Sequence, residues 1–431
     1  QNAANVVDCI AADGVRVVNR VVEISDSGRA PKNDPALFVL AMAAGLGSAA
    51  TKEAALKALP QVARIGTHLF HFMEYVQSFR GWGRGLRRAI GDWYTAKEPK
   101  SVMHQLTKYQ GRDGWTHADA LRLAHVRPSS PDYDFLFRYA VKGIDEAFTK
   151  VEGVSTDLTG YLAAIKELNA LSKDDAKGAV KLITEHKMPR EVIPTEHLNS
   201  ADVWAALLPH MPMMAMIRNL ATMTRVGLLT PMSDAEKLVN SKLVDMAEIK
   251  KARVHPIAIL AALTTYAAGH GARGKHTWTP LTKLTDALDE AFYLAFGNVT
   301  PTGKNILLGL DVSGSMTFSE IAGIPGMTPR VATAAMSLIT AKVEQNHHMM
   351  AFSDKFIPID ISPKMRLDDV VRKMDAMSFG GTDCALPMVY AKQHKMKVDT
   401  FITYTDSETW AGGIHPFQAL QDYRNAMGIP A

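Results

Sequence analysis

The sequence of 431 residues is 47% hydrophobic and 21% charged, with 48 basic and 44 acidic residues and a formal net charge of +4. At roughly 150 residues per domain it holds two to three domains, each with its own core, and this composition excludes disorder as the overall state. The longest stretch free of Asp, Glu, Lys and Arg, from Val254 to Ala272, is broken by His255, Pro256, Gly269, His270 and Gly271, so no membrane span is expected.

The opening Gln1-Asn2-Ala3-Ala4-Asn5 carries neither a basic nor an apolar signal region, and the chain reads as beginning inside a longer one. Cys9 and Cys384 are too few and too distant for a disulfide framework or a cysteine-rich zinc site. A reducing, cytoplasmic setting fits.

Residues 1–298 read as helical almost throughout. Apolar periodicity near 3.6 marks helices at 37–46, 54–59, 62–76, 82–93, 117–125, 133–148, 156–171 and 176–185, and again at 203–208, 213–223, 236–246, 257–268 and 281–296. Short helices with no strand run between them predict paired helices stacked as an α-solenoid, with a degenerate repeat. Met213, Met216, Ile217, Leu220 and Met223 follow core spacing. His68 with His71, and His347 with His348, lack further zinc ligands. The loop Gly269–Lys275 is basic but lacks the strand–loop–helix context of a phosphate loop.

Charge is uneven along this part. Between Arg80 and Arg127 ten basic residues face four acidic ones. Arg84, Arg87 and Arg88 fall at i, i+3 and i+4 on a helix whose other side carries Leu86, Ile90 and Trp93, so the arginines should point outward. Lys108 and Arg112 differ by four and form a pair one turn apart if that segment is helical. Thr116-His-Ala-Asp119 reads as a capping box that starts a helix ending near His125, where Arg127 and Ser129-Ser130 follow. Single surface cations are ordinary; their clustering favours a polyanion such as structured RNA held by shape and phosphate contacts.

From residue 299 the texture changes. The apolar runs 305–310, 348–352 and 400–404 alternate with helical 331–343, 367–377 and 386–395, which predicts a mostly parallel, Rossmann-like α/β sheet over 299–431. Ligands of such sheets gather beyond the carboxyl ends of strands. There Asp311-Val-Ser313-Gly-Ser315, Thr382 and Asp406 supply only oxygen donors, which suits a hard divalent cation: Mg2+ first, Mn2+ or Ca2+ as alternatives. The bland alternative is helix and turn capping by the same side chains. Cys384 reads as a small buried residue rather than a nucleophile.

The DxSxS tripod followed by Thr and Asp at later strand ends resembles the metal-ion-dependent adhesion site of von Willebrand factor A domains. On that resemblance Asp311, Ser313, Ser315, Thr382 and Asp406 are the five ligand positions. An A domain normally continues beyond the last residues here, so the resemblance implies that this one is truncated at its C-terminus.

Across nearly the whole chain further motifs accompany it. They include Thr67-His-Leu-Phe70, Gly83-Arg-Gly-Leu-Arg-Arg-Ala-Ile-Gly-Asp-Trp-Tyr94, Leu121-Arg-Leu-Ala-His-Val-Arg-Pro-Ser-Ser130, Gly269-His-Gly271, Pro301-Thr-Gly-Lys304, Gly380-Gly-Thr-Asp-Cys384 and Gly412-Gly-Ile-His-Pro416. Together they resemble the Ro autoantigen ribonucleoprotein family, built from a TROVE module and an A domain, in its bacterial form. The resemblance implies a ring of HEAT-like repeats with small noncoding Y RNA on its outer surface and single-stranded 3′ ends of misfolded RNA in the central hole. It further implies a role in RNA quality control beside an exoribonuclease, without catalysis by the chain itself. Lys108, Arg112 and His125 would touch Y RNA, with Arg84, Arg87, Arg88 and Arg127 as neighbours. Two other functions stay open: a protein-interaction module whose bound metal accepts an acidic side chain of a partner, and a magnesium-dependent phosphoesterase, which lacks a visible general base.

Overall fold

The computed structural model describes residues 3–28, 32–272, 275–321, 323–353, 355–377, 380–406 and 409–431. The chain forms two compact units, Gln1–His210 and Met211–Ala431. Of the basic loop expected at 269–275, Arg273 and Gly274 lie outside the described residues. No helix among those described is long and apolar enough to cross a membrane.

The first unit runs α1 (Ala4–Ser27), α2 (Asp34–Leu46), α3 (Ala49–Val62), α4 (Gly66–Gln77), α5 (Arg84–Thr95) and α6 (Pro99–Lys108) into a two-stranded hairpin, β1 (Gly111–Arg112) and β2 (Trp115–Thr116). It continues through α7 (His117–Ala124), α8 (Pro131–Lys142), α9 (Ile144–Ala147), α10 (Thr156–Ala170), α11 (Ala176–His186) and α12 (Ala201–Leu207). Leu37 and Leu40 on α2, Phe70 and Phe72 on α4, and Trp93 and Tyr94 on α5 are fully buried.

Three expectations need correction here. The helix expected over 62–76 starts only at Gly66, and Val62 ends the preceding helix, because the backbone between them is claimed by distant side chains. The Trp93 indole donates to the Ala63 carbonyl, and the Gly66 amide donates to Gln105 Oε1 at 2.8 Å. The helix expected over 133–148 breaks at Gly143, whose φ of 97° only glycine adopts readily. Lys108 and Arg112 are not a helical pair: α6 stops at Lys108, and Arg112 sits on β1. Asp113 and Gly114 both have positive φ, 52° and 79°, as a tight hairpin turn requires.

Behind the hairpin, His117 is buried at the start of α7. Its Nε2 lies 3.1 Å from the Gln105 carbonyl, which can only accept, so Nε2 carries the proton and Nδ1 accepts from the Tyr94 hydroxyl at 2.7 Å. Burial lowers its pKa from 6.5 to about 4, against the raising effect of hydrogen bonding to the backbone of Gln105 and Tyr109. His68, beside Asn33, is also lowered to about 4, first by burial and then by Arg64 and His71.

The second unit opens with α13 (Met213–Arg225), α14 (Asp234–Leu243), α15 (Met246–Lys251), α16 (Pro256–Ala268) and α17 (Thr282–Leu294). The methionines of α13 expected in the core, Met213, Met216 and Met223, are buried there. An α/β layer follows: β3 (Ile306–Asp311), α18 (Pro329–Val343), β4 (His347–Phe352), β5 (Phe356–Pro358), α19 (Leu367–Asp375), α20 (Leu386–Gln393), β6 (Thr400–Tyr404) and α21 (Pro416–Met427). The sheet order is β5-β4-β3-β6, with β3 parallel to both β4 and β6, and the short β5 antiparallel at one edge. β3 is buried along its whole length, as a central strand covered on both faces must be. At Gly309 a Cβ would come within 2.7 Å of Pro387 on α20, so glycine allows that helix to cross the strand closely. Within this unit α17 meets the α/β layer directly: Arg366 pairs with Asp289, and the Tyr293 hydroxyl accepts from the Leu367 amide at 2.9 Å.

Two outcomes follow. Unfolded histidine titrates near pH 6.5 and folded His117 only near 4, so the stability of its neutral form is complete above 6.5 and lost as pH falls to 4. That loss amounts to about 3 kcal/mol. In urea titrations of the full chain followed by tryptophan fluorescence, His117→Gln should flatten this pH dependence; an unchanged slope would contradict it. In the second unit the buried Tyr423 hydroxyl accepts from the Val398 amide at 2.7 Å and donates to the Met396 carbonyl at 2.8 Å. Tyr423→Phe should cost about 1–3 kcal/mol in the same assay, because it orphans a buried amide.

Candidate nucleic-acid interface and metal centre

α5 is amphipathic in the sense its sequence predicts. Leu86, Ala89, Ile90, Trp93 and Tyr94 are buried, while Arg84 and Arg88 are exposed and Arg87 is half-buried. The Arg87 Nε is buried with no hydrogen-bond partner. Arg88 approaches Asp92 at 3.7 Å, but with side chains 85% and 61% exposed that pair is loose and solvent-screened.

α7 packs on α5 and is fixed at its start by the predicted capping box: the Asp119 amide donates to Thr116 Oγ1 at 3.3 Å, and the Thr116 amide donates to Asp119 Oδ2 at 3.0 Å. At its other end the chain turns through His125, which takes a left-handed φ of 52° as the helix cap. That turn brings His125 and Ala124 to Arg84, Gly85, Arg87 and Arg88, and the six residues line an open cavity of about 590 Å³. Arg127 follows two residues later, exposed.

Lys108 and Arg112 lie on neighbouring elements rather than in this cavity. The Lys108 ammonium sits 5.6 Å from the Tyr109 ring centre at the end of α6. Arg112 is exposed on the hairpin, its Nε 3.5 Å from Asp113. The hairpin is strapped down by His71, whose Nδ1 lies 2.5 Å from Asp113 and whose Nε2 lies 3.4 Å from Asp34 on α2. Trp115, opposite Arg112, meets Trp82 at 5.8 Å between ring centres, just before α5 begins. Residue spacing alone missed this tryptophan contact and the histidine strap. The Asp113-Gly114 pair, a strong hairpin signal, could have revealed the turn.

In the second unit the carboxyl ends of β3 and β6 lie side by side. Asp311, fully buried, accepts from the Ser313 amide at 2.8 Å through Oδ1 and from the Thr405 hydroxyl at 2.7 Å through Oδ2. Ser313 and Ser315 hydroxyls lie 3.0 Å apart, and Ser315 donates to Asp406 Oδ1 at 3.1 Å across 91 residues of sequence. Arg330, buried, donates to the Ser313 carbonyl at 3.1 Å and to Asp375 at 2.8 Å, which fixes the loop. Thr382 is buried on the adjoining loop, where its carbonyl accepts from Thr409 and from the amides of Trp410 and Ala411. Four of the five sequence-derived ligands thus form one hydrogen-bonded cluster, with Thr382 on the next loop.

The donor set is all oxygen, with two carboxylates and three hydroxyls, and so fits a hard cation. Among the described residues no group of three or more His, Cys, Asp and Glu is placed to hold a metal, which leaves this mixed cluster as the candidate centre. Cys384 lies beside it; burial first, then Asp311, push its thiol pKa up, which disfavours the thiolate.

Comparisons with known proteins agree with this layout. The TROVE domain family matches residues 1–182 and 166–265, and the Ro60 vWA domain family matches residues 305–431. An RNA-binding protein RO60 of Deinococcus radiodurans is 41% identical over 98% of this chain and 78% of its own length. One of Caenorhabditis elegans is 35% identical over 99% of this chain and 77% of its own. The crystal structure of the Deinococcus radiodurans RO (RSR) protein superposes with a TM-score of 0.85 at 39% identity, covering 99% of this chain and 85% of that one. A mostly helical chain with a C-terminal von Willebrand factor A-like sheet, matched over this length, belongs to the Ro family of TROVE and A-domain proteins.

Proposed function

We propose that the chain is an RNA-binding protein that grips structured RNA, of the small noncoding Y RNA class, through the basic face of α5, the cap at His125 and the adjoining hairpin. The observation that carries this reading is the cavity where Arg84, Arg87 and Arg88 meet His125. Three guanidiniums and an imidazole in one open, solvated recess match a run of phosphates and sugar hydroxyls, and they serve no internal ion pair of consequence. Relatives 41% and 35% identical carry the name RNA-binding protein, which supports the same reading. Arg112, Lys108 and Arg127 would extend the contact, and Trp82 with Trp115 would brace the hairpin that bears Arg112. Misfolded RNA with a single-stranded end is the second expected client, handed on to an exoribonuclease in RNA quality control.

The second unit would hold Mg2+, bound by Asp311, Ser313, Ser315 and Asp406 with Thr382 contributing directly or through water. The ion would supply an open coordination position for an anionic oxygen of a protein partner. Nothing in the cluster offers a poised nucleophile, so binding is favoured over phosphoester hydrolysis.

Titration of a Y-like stem–loop RNA should show log affinity falling linearly with log salt, with a slope set by several phosphate contacts. Arg84→Ala with Arg88→Ala should reduce that slope by about 1–2 and weaken all structured RNAs alike. An unchanged slope would remove α5 from the interface. Separately, Asp311→Asn should abolish Mg2+ binding measured by calorimetry while leaving RNA affinity within about twofold. Retention of Mg2+ binding in that variant would sink the metal assignment.

A further inference from the structure

The candidate metal centre is flanked by two large aromatic side chains that the fold leaves in water. Phe318 is 88% exposed and Trp410 is 72% exposed. Neither is on a wandering segment far from the ligands. Phe318 closes the short turn that begins at Ser313, and its ring lies 3.6 Å from where a Cβ on Gly314 would stand, beside both serines. Trp410 donates its backbone N–H to the Thr382 carbonyl at 3.1 Å, and its indole edge lies 3.2 Å from where a Cβ on Gly381 would stand. Glycine at 381 lets the Trp410 ring lie close against the Thr382 loop, and the Ser315–Asp406 hydrogen bond ties the segment that bears Trp410 to the turn that bears Phe318.

Aromatic side chains are enriched as anchors at the centre of protein interfaces. Charge selects the occupant. The segments 312–328, 376–385 and 405–415, which carry both rings and all ligands except Asp311, contain Glu320, Asp383, Asp406 and Glu408 in sequence but no Lys or Arg. The metal would attract either anion, but the acidic residues around it repel the many charges of a phosphate backbone more than those of a neutral or basic peptide that carries a single carboxylate. We propose that Phe318 and Trp410 form an aromatic collar that recognises a protein segment presenting one carboxylate to the metal, with a bulky apolar side chain next to it and neutral or basic residues around it. This rests on the metal reading above and adds the chemistry that decides which carboxylate is chosen.

The test selects a displayed library of random peptides with a fixed central Asp on the full chain in Mg2+, in parallel with the double variant Phe318→Ala, Trp410→Ala. Mg2+ affinity is measured by calorimetry on both proteins. On the wild type, Mg2+-dependent selection should enrich Leu, Ile, Phe or Trp beside the Asp on the order of tenfold, together with Lys or Arg further out. The variant should bind Mg2+ equally and lose the apolar preference. Equal apolar enrichment on both proteins, or Mg2+ binding without any peptide selection, would overturn the collar while leaving the metal intact; absence of Mg2+ binding would overturn the metal reading itself. A single-stranded oligonucleotide that binds the wild type and not the variant would assign the rings to base stacking and overturn the protein partner.

Discussion

The amphipathicity of α5 is the constraint on which the candidate RNA surface depends. Leu86, Ile90 and Trp93 must leave water, and once they dock against the neighbouring helices the geometry of a 3.6-residue turn puts Arg84 and Arg88 in solvent and Arg87 at the border of the buried face. The hydrophobic effect thus orients the cations, and electrostatics only uses them. The left-handed cap at His125 completes the arrangement, because a residue continuing the helix would carry that imidazole away from the recess instead of into it. A buried neutral histidine supports both from below: His117 links Tyr94 on α5 to Gln105 on α6 and begins the helix that ends at His125.

Much of this was legible in the sequence because it is local. The arginine spacing, the Thr116–Asp119 box and the DxSxS tripod each lie within a few residues, and each occurs where expected. What failed was non-local or contradicted by a competing local signal. Apolar periodicity runs unbroken from 62 to 76, yet the Trp93 indole and the Gln105 amide, 30 and 39 residues away, take the backbone groups at the break. At Lys108 and Arg112 a four-residue interval suggested a helix, while Asp113-Gly114 already specified a turn; the turn's positive φ values decide the conflict. At three residues, β5 is too short to carry an alternation.

The metal centre divides in the same way. Asp311, Ser313 and Ser315 can be recognised from one loop, but the contact that closes the cluster joins Ser315 to Asp406, and only the parallel pairing of β3 with β6 creates it. The exposure of Phe318 and Trp410 could not have been foreseen, since an aromatic in a loop is as often tucked beneath it as left outside. The two units therefore use one strategy on different chemistry: a rigid apolar scaffold turns a few polar or aromatic groups outward and keeps them there.

Cross-linking by ultraviolet light in cells that express the chain, with nucleotide-bearing peptides identified by mass spectrometry, confronts the central claim most directly. The account predicts nucleotide adducts within peptides spanning 82–88 and 125–127, with a weaker set on the hairpin at 111–116. Adducts confined to other parts of the chain, with those peptides recovered unmodified, would contradict it.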